Sequence, residues 1–388
     1  MKITEIRTFR LKAPPHQSKT PARRSSWWVE SEVANPMSRY PKVKRHRDLW
    51  LPKWEGVWCR VTAEDGTTGY GMTSHGRPVA AVIEDHLAPQ LVGEDCFAGE
   101  KLADMMFRLT KPYGSTGLAS YAISAVDLAL WDLRGKLLDK PVYQLLGGKQ
   151  KERIFCYATG NDVDWYQELG FRGFKLACPY GPADGWEGIR KNEELIARTR
   201  EQIGDACELM LDCWMAFDVE YTVRLAEVLR PYRLKWLEEC LISEDMDAHL
   251  QLRQRLPWQG LATGEHWYTH VPFLWAIQHK VADILQPDLQ WCGGVSTCQK
   301  IAAAADAGGV SVIMHGGGNS AYGQHFSIAT PAVPWLECFV GTAPGVPLAE
   351  EWRLPGQATP QDGWLTPSDA PGFGLEIPET WFEPFFKG

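Results

Sequence analysis

The stretch "LMLDCWMAFDVEYTVRLAEVLRPYRLKWLEECLISEDMDAHLQLRQRLPWQGLATGE", Leu209 to Glu265, runs through one unit twice and begins a third. A short apolar run ends in an acid, an amphipathic stretch follows, and the next apolar run begins. "LMLDC", "LKWLEEC" and "LATGE" thereby place Asp212, Glu238 and Glu265 at corresponding points. Near-continuous apolar runs are what a parallel sheet covered on both faces requires, and the stretches between them have helical spacing. Working outward, "IFCYATG" and "GFKLAC" precede this stretch, and "DILQPD", "SVIMHG" and "WLECF" follow it, making eight runs from Ile154 onward. From the third run on, one polar residue near each C-terminal end gives Asp212, Glu238, Glu265, Asp288, His315 and Glu337, separated by 26, 27, 23, 27 and 22 residues. A strand, loop, helix and loop take about this length, and eight such strands with right-handed crossovers form a (β/α)8-type barrel. The interval between the first two runs is too short for a normal helix, so the first barrel helix is expected to be vestigial.

Upstream the texture is α+β. "KITEIRTFRL" alternates as a strand does, and "VWCRVTAEDGTTGYGMTS" reads as a hairpin around Asp65-Gly66. Between them lies the polar, proline-punctuated segment 16–48, which carries Trp27 and Trp28. It is longer than most connections, and such loops tend to be lids or binding loops. "TGLASYAISAVDLALWDLRGKLLDKPV" has helical spacing and ends before Pro141.

The chain has 388 residues, 45% hydrophobic and 23% charged, enough for a large barrel or two domains. Forty basic against 48 acidic residues give a formal charge of −8. The basic patch Lys42 to Trp50 is too short to track phosphates, so nucleic acid is not an expected partner. Ten cysteines without a C-x-x-C pair, together with an N-terminus unlike a signal peptide, predict reduced thiols in a cytoplasm. No apolar stretch approaches the ~20 residues that span a bilayer, so no membrane segment is expected. The 18 tryptophans suit either sugar stacking or large core side chains.

In a barrel, the C-terminal strand ends converge on one site. Three carboxylates there, Asp212, Glu238 and Glu265, repel one another unless a cation sits among them, and an all-oxygen donor set points to Mg²⁺. Taken singly, each acid could equally cap a helix or pair with a surface base. Asp288 and His315 stand one strand apart, so the carboxylate can fix the imidazole tautomer and raise the basicity of its other nitrogen. Alone, such a histidine would be read as structural. "HGGG" also resembles an esterase oxyanion loop, but no G-x-S-x-G occurs anywhere in the chain. Gly316 to Gly318 are instead expected to let the loop pass close to a substrate. Lys175 on the second strand either stabilises charge on a bound carboxylate or snorkels from the rim. Glu337 is either a hydrogen-bonding neighbour of the substrate or an ion-pair member. His266, next to Glu265, points away on a regular strand and needs a bend to reach a substrate.

This succession of strand-end acids with a later Asp and His resembles the enolase superfamily, in its mandelate-racemase-like branch of acid-sugar dehydratases. "ANPMSRYP", "LDCWMAFDVEY", "ATGEHWYT" and "HGGGNSAYG" carry the resemblance, which covers nearly the whole chain. It implies a modified (β/α)7β TIM-type barrel over 151–345, an N-terminal α+β capping domain over 1–150, and a tail, 346–388, returning to that domain. It further implies Mg²⁺ on Asp212, Glu238 and Glu265, His315 as general base oriented by Asp288, and Glu337 in contact with the substrate; Lys175, from its strand position, is counted with His315, Asp288 and Glu337 as a catalytic candidate. His266 is implied as a substrate contact, as are Trp27 and Arg39 in the loop that reads the far end of the substrate. L-rhamnonate is the expected substrate and L-lyxonate the alternative, with assembly into a homo-oligomer. Racemases of this branch carry K-x-K on the second strand, whereas here the residues are Lys175-Leu176-Ala177. An epimerase needs two bases and dehydration needs one, so the departure favours a dehydratase over an epimerase or cycloisomerase. "EEC" in place of the commoner E-E-P leaves Glu238 in position. A sugar-acid binder without catalysis has no use for the full set of five.

Overall fold

A computed structural model describes residues 1–30, 32–40 and 50–386. All of the basic patch except Trp50 therefore lies outside the described residues. The N-terminal region forms an antiparallel sheet of β1 (Ile3–Leu11), β2 (Val57–Ala63) and β3 (Thr68–Thr73). The helix α1 (Leu118–Leu137) lies on it and is buried along almost its whole length, as its all-round apolar sequence demands. Gly69 and Gly71 on β3 make the contact possible. A Cβ on either would come within 2.1 and 2.0 Å of the carbonyl oxygens of Ala129 and Ala125.

The eight apolar runs form eight parallel strands: β4 (Ile154–Thr159), β5 (Gly173–Ala177), β6 (Glu208–Asp212), β7 (Leu237–Glu238), β8 (Leu261–Thr263), β9 (Ile284–Leu285), β10 (Ser311–Val312) and β11 (Trp335–Phe339). They are hydrogen-bonded in the order β10-β9-β8-β7-β6-β5-β4-β11. Seven helices connect them: α2 (Val163–Glu168), α3 (Gly185–Ile203), α4 (Val219–Leu229), α5 (Met246–Arg255), α6 (Val271–His279), α7 (Gly294–Gly308) and α8 (Ala321–Ala329). The fold is thus a (β/α)7β barrel under an α+β cap. The short first helix is present as six residues. Between β10 and β11 the wall is closed by a hydrogen bond from Val312 N–H to the Ala332 carbonyl and by the Asn319 side chain, which pairs with both backbone groups of Phe339.

Cap and barrel share a polar seam. The buried Asp127 of α1 accepts hydrogen bonds from the backbone N–H and hydroxyl of Ser296, at the start of α7. After β11 the chain runs antiparallel along β4 as β12 (Trp364–Leu365), then reaches the outer edge of β1 as β13 (Phe382–Pro384). On the way the Glu350 carboxylate takes four hydrogen bonds from the backbone and hydroxyl groups of Ser18, Lys19 and Thr20. It pins the start of the long N-terminal segment. Among the described residues no helix is long and apolar enough to cross a membrane.

Candidate active site

Pairing register sets the heights of the acids. Asp212 and Glu238 are the last residues of β6 and β7 and are register partners. β8 ends at Thr263. The left-handed Gly264 (φ 126°) then turns the chain so that Glu265 joins the other two from just above the strand. One carboxylate oxygen from each of Asp212, Glu238 and Glu265 lies within 4.8 Å of the others. Asp288 and His315 each stand three residues past strands that pair Leu285 with Val312, so they arrive level. His315 Nδ1 donates to Asp288 at 2.8 Å, which leaves Nε2 as the free basic position, 3.6 Å from Glu265.

These groups open on a cavity of about 350 Å3, the size of a small-molecule site. Its lining includes the charged Lys175, Asp212, Glu265, His315 and Glu337 and the apolar Trp27, Val33 and Phe339. Lys175 does not snorkel. It is 1% exposed, with its ammonium against Glu238, 2.6 Å from Glu337 and 3.4 Å from Asp212. Burial disfavours the Lys175 cation, but Glu238, Glu337 and Asp212 outweigh this and raise it well above the ordinary lysine range. Glu337 accepts from Thr159 and from the Gly316 N–H. Burial would push its carboxyl up, yet Lys175 and His315 hold it down to about 2. Burial pushes Glu238 the other way, up to about 8, with Asp212, Glu337 and Glu265 adding to burial against the pull of Lys175. Burial also disfavours the His315 cation, and here Glu265, Asp288 and Glu337 prevail and carry it well upward. One lysine cannot neutralise this many buried acids. The all-oxygen triad therefore fits a hard divalent ion such as Mg²⁺.

Several expectations need correction. Arg39 does not line this cavity; it is exposed and borders a neighbouring one formed with Pro182, Phe217 and Asp218. Only Gly316 of the three glycines faces the cavity. Gly317 and Gly318 are small because Met314, Leu336 and Cys338 press against them: a Cβ on Gly318 would sit 2.2 Å from the Cys338 sulfur. His266 does receive its bend, from Gly264. It turns to Glu239, whose carboxylate meets its Nδ1 at 2.8 Å, rather than lining the cavity.

Three contributors escaped the sequence reading. Glu239 faces His266 because its backbone is left-handed (φ 42°), so a residue that regular strand alternation would turn away from Glu238 joins the acids. Burial and Glu265 raise its carboxyl to about 7 against His266, while His266, disfavoured by burial, is raised to about 9 by Glu239 and Glu265. Asp162, just past β4, accepts from the Trp27 N–H at 2.9 Å and from Arg24, and so fixes Trp27 over the cavity. Trp291 packs against the rings of both His315 and His266, at 4.7 and 5.5 Å. The repeated "EE" and the acid in "TGND" were the available signals; neither shows a direction.

Residues 53–147 match the mandelate racemase / muconate lactonizing enzyme N-terminal domain, and residues 161–381 the enolase C-terminal domain-like family. The chain is 43% identical over 356 residues to L-rhamnonate dehydratase of Saccharopolyspora erythraea, covering 90% of each protein. It is 32% identical to the crystal structure of rhamnonate dehydratase from Gibberella zeae complexed with Mg, with a TM-score of 0.91, covering 99% of this chain and 96% of that one. A racemase from Streptomyces coelicolor A3(2) with bound magnesium, 24% identical with a TM-score of 0.78 over 97% of each chain, shares the fold. The two domain matches span cap and barrel alike, and the chain belongs to the mandelate racemase / muconate lactonizing enzyme family of the enolase superfamily.

Proposed function

We propose that this protein is a Mg²⁺-dependent acid-sugar dehydratase that converts L-rhamnonate to its 2-keto-3-deoxy acid. The observation that carries the reading is the one-sidedness of the site. His315 offers a basic nitrogen to one face of the cavity, whereas across the barrel Lys175 is a fully engaged cation and the residue two further on is Ala177. A single base suits elimination, not inversion.

His315 Nε2 removes the proton from C2, with Asp288 holding the ring and stabilising the imidazolium. The C2–H electron pair becomes the C2=C3 bond as the C3–O bond breaks, and His315 returns its proton to the departing hydroxyl, which leaves as water. The enol then takes a proton at C3 as its C2 hydroxyl gives one up, and becomes the keto acid. Asp212, Glu238 and Glu265 would hold a divalent ion, which when bound would supply counter-charge to the substrate carboxylate and offset the carboxylate field on His315. Glu337, ionised and tied down by Lys175, Thr159 and Gly316, is placed to accept from a substrate hydroxyl. Trp27, Val33 and Phe339 present carbon to the substrate's far end, which suits the methyl terminus of a deoxy acid.

The test is a screen of acid sugars in EDTA and in Mg²⁺, scoring keto-acid product with a carbonyl reagent. Turnover of L-rhamnonate in Mg²⁺ alone is expected, with L-lyxonate slower. If no acid sugar yields a keto acid while α-protons exchange with deuterated solvent, an epimerase replaces the dehydratase. Asp162→Asn probes the far end. It leaves one acceptor oxygen for two donors and turns an amide N–H on either Trp27 N–H or Arg24, and the KM for L-rhamnonate is expected to rise about fivefold to tenfold with Mg²⁺ affinity unchanged. An unaltered KM would show that Trp27 is held by other contacts.

A further inference from the structure

Both carboxylate oxygens of Glu238 are engaged by buried side chains, Lys175 on one and Trp236 on the other. Lys175 contacts Oε1, and because the same ammonium also touches Asp212 Oδ2, Oε1 is the oxygen on the Asp212 side. Oε2 is turned the other way and accepts a hydrogen bond from the indole Nε1 of Trp236 at 2.8 Å. Trp236 precedes Glu238 by two positions, so both side chains face the barrel interior. Its indole is fully buried, edge-on to Tyr157 at 5.6 Å and against Trp335 at 6.0 Å, and has no room to turn away.

We infer that Trp236 is a positioning residue for the metal site: by holding Oε2 it fixes the rotation of the Glu238 carboxylate and keeps Oε1 presented toward Asp212 and the ion. Without that N–H, only Lys175 restrains the carboxylate, and Lys175 competes with a divalent ion for the same oxygen. A neighbour that orients a ligand in this way typically contributes 10–100-fold to metal affinity. The inference rests on reading Asp212, Glu238 and Glu265 as the ion-binding triad.

Two variants separate positioning from packing. Trp236→Phe removes the N–H and some ring volume. Replacing Trp236 by β-(3-benzothienyl)alanine exchanges the N–H for sulfur and keeps the volume. Mg²⁺ titration calorimetry is expected to show a Kd about tenfold or more weaker in both. At saturating Mg²⁺, kcat with L-rhamnonate should remain within about threefold of the parent. The rise in Tm between EDTA and Mg²⁺ should shrink in both variants, whereas a purely structural role would lower Tm equally in the two conditions. A benzothienyl protein with the parent's Mg²⁺ affinity and Tm increment overturns the role of Trp236 and leaves the triad intact. A parent protein that binds no Mg²⁺ overturns the triad, and the inference with it.

Discussion

Exchanging His315 for asparagine is expected to lower kcat by roughly 10⁴-fold, the upper end of what a single acid–base group contributes, because one imidazole here both takes the C2 proton and returns it to the leaving hydroxyl. Asparagine is the informative replacement. Its amide nitrogen can take the place of Nδ1 and keep the hydrogen bond that Asp288 accepts at 2.8 Å. What it lacks is a titratable nitrogen at the position of Nε2. That nitrogen stands 3.6 Å from Glu265 but is no ligand of the triad, so its loss removes positive charge beside the three acids without removing one of their oxygens, and calorimetric Mg²⁺ affinity should be retained or tightened. Turnover above a tenth of the parent's would remove His315 from the reaction. Loss of Mg²⁺ binding alongside turnover would make it a structural support of the triad.

Glu238→Gln is expected to weaken Mg²⁺ binding more than ~100-fold, beyond what the loss of an outer partner costs, because it removes both a charge and an oxygen of the triad. The neutral residue fits its surroundings badly. Glu238 receives one donor on each oxygen, Lys175 on Oε1 and Trp236 on Oε2. Glutamine satisfies only one of them and turns its own N–H groups on the other, a buried mismatch worth about 1–3 kcal/mol. The variant should therefore melt earlier even in EDTA, and Mg²⁺ should no longer raise its Tm. Undiminished Mg²⁺ affinity would move the ion elsewhere, and the alternative trio of Glu239, Glu265 and His266 would be the place to look.

The sequence made the barrel legible through repetition, since a βα unit of constant length puts a chemical group at the same height each time. Asp212 and Glu238 needed nothing more, because they end their strands. Asp288 and His315 lie past theirs, yet the equal overshoot preserves the dyad. What periodicity cannot carry is direction once the backbone leaves the strand. Glu239 and His266 meet through a left-handed residue and a glycine turn, and neither conformation is written in the spacing. Arg39 failed for a related reason, since proximity along a loop does not say which cavity a side chain borders. Lys175 was placed on the correct strand, but its burial depends on how many acids surround it, a property of four strands together. The Trp236–Glu238 contact needs side-chain reach inside the barrel, which alternation alone suggests and cannot measure.

The pairing of β1 with β13 has a bearing on biogenesis. Arg10 reaches the carbonyl of Pro384 across 374 residues of chain, so the ribosome makes the first strand of the cap long before its outer neighbour. Throughout that interval one flank of β1 is an open ladder, the kind of edge that recruits other nascent chains. Glu5, Arg7 and Arg10 stud this strand with charge, an arrangement that discourages mispairing while the edge waits. The cap is thus completed only after the barrel's strands have all been synthesised, and a chain stalled before Phe382 would display the finished catalytic acids beneath a roof still missing its outermost strand.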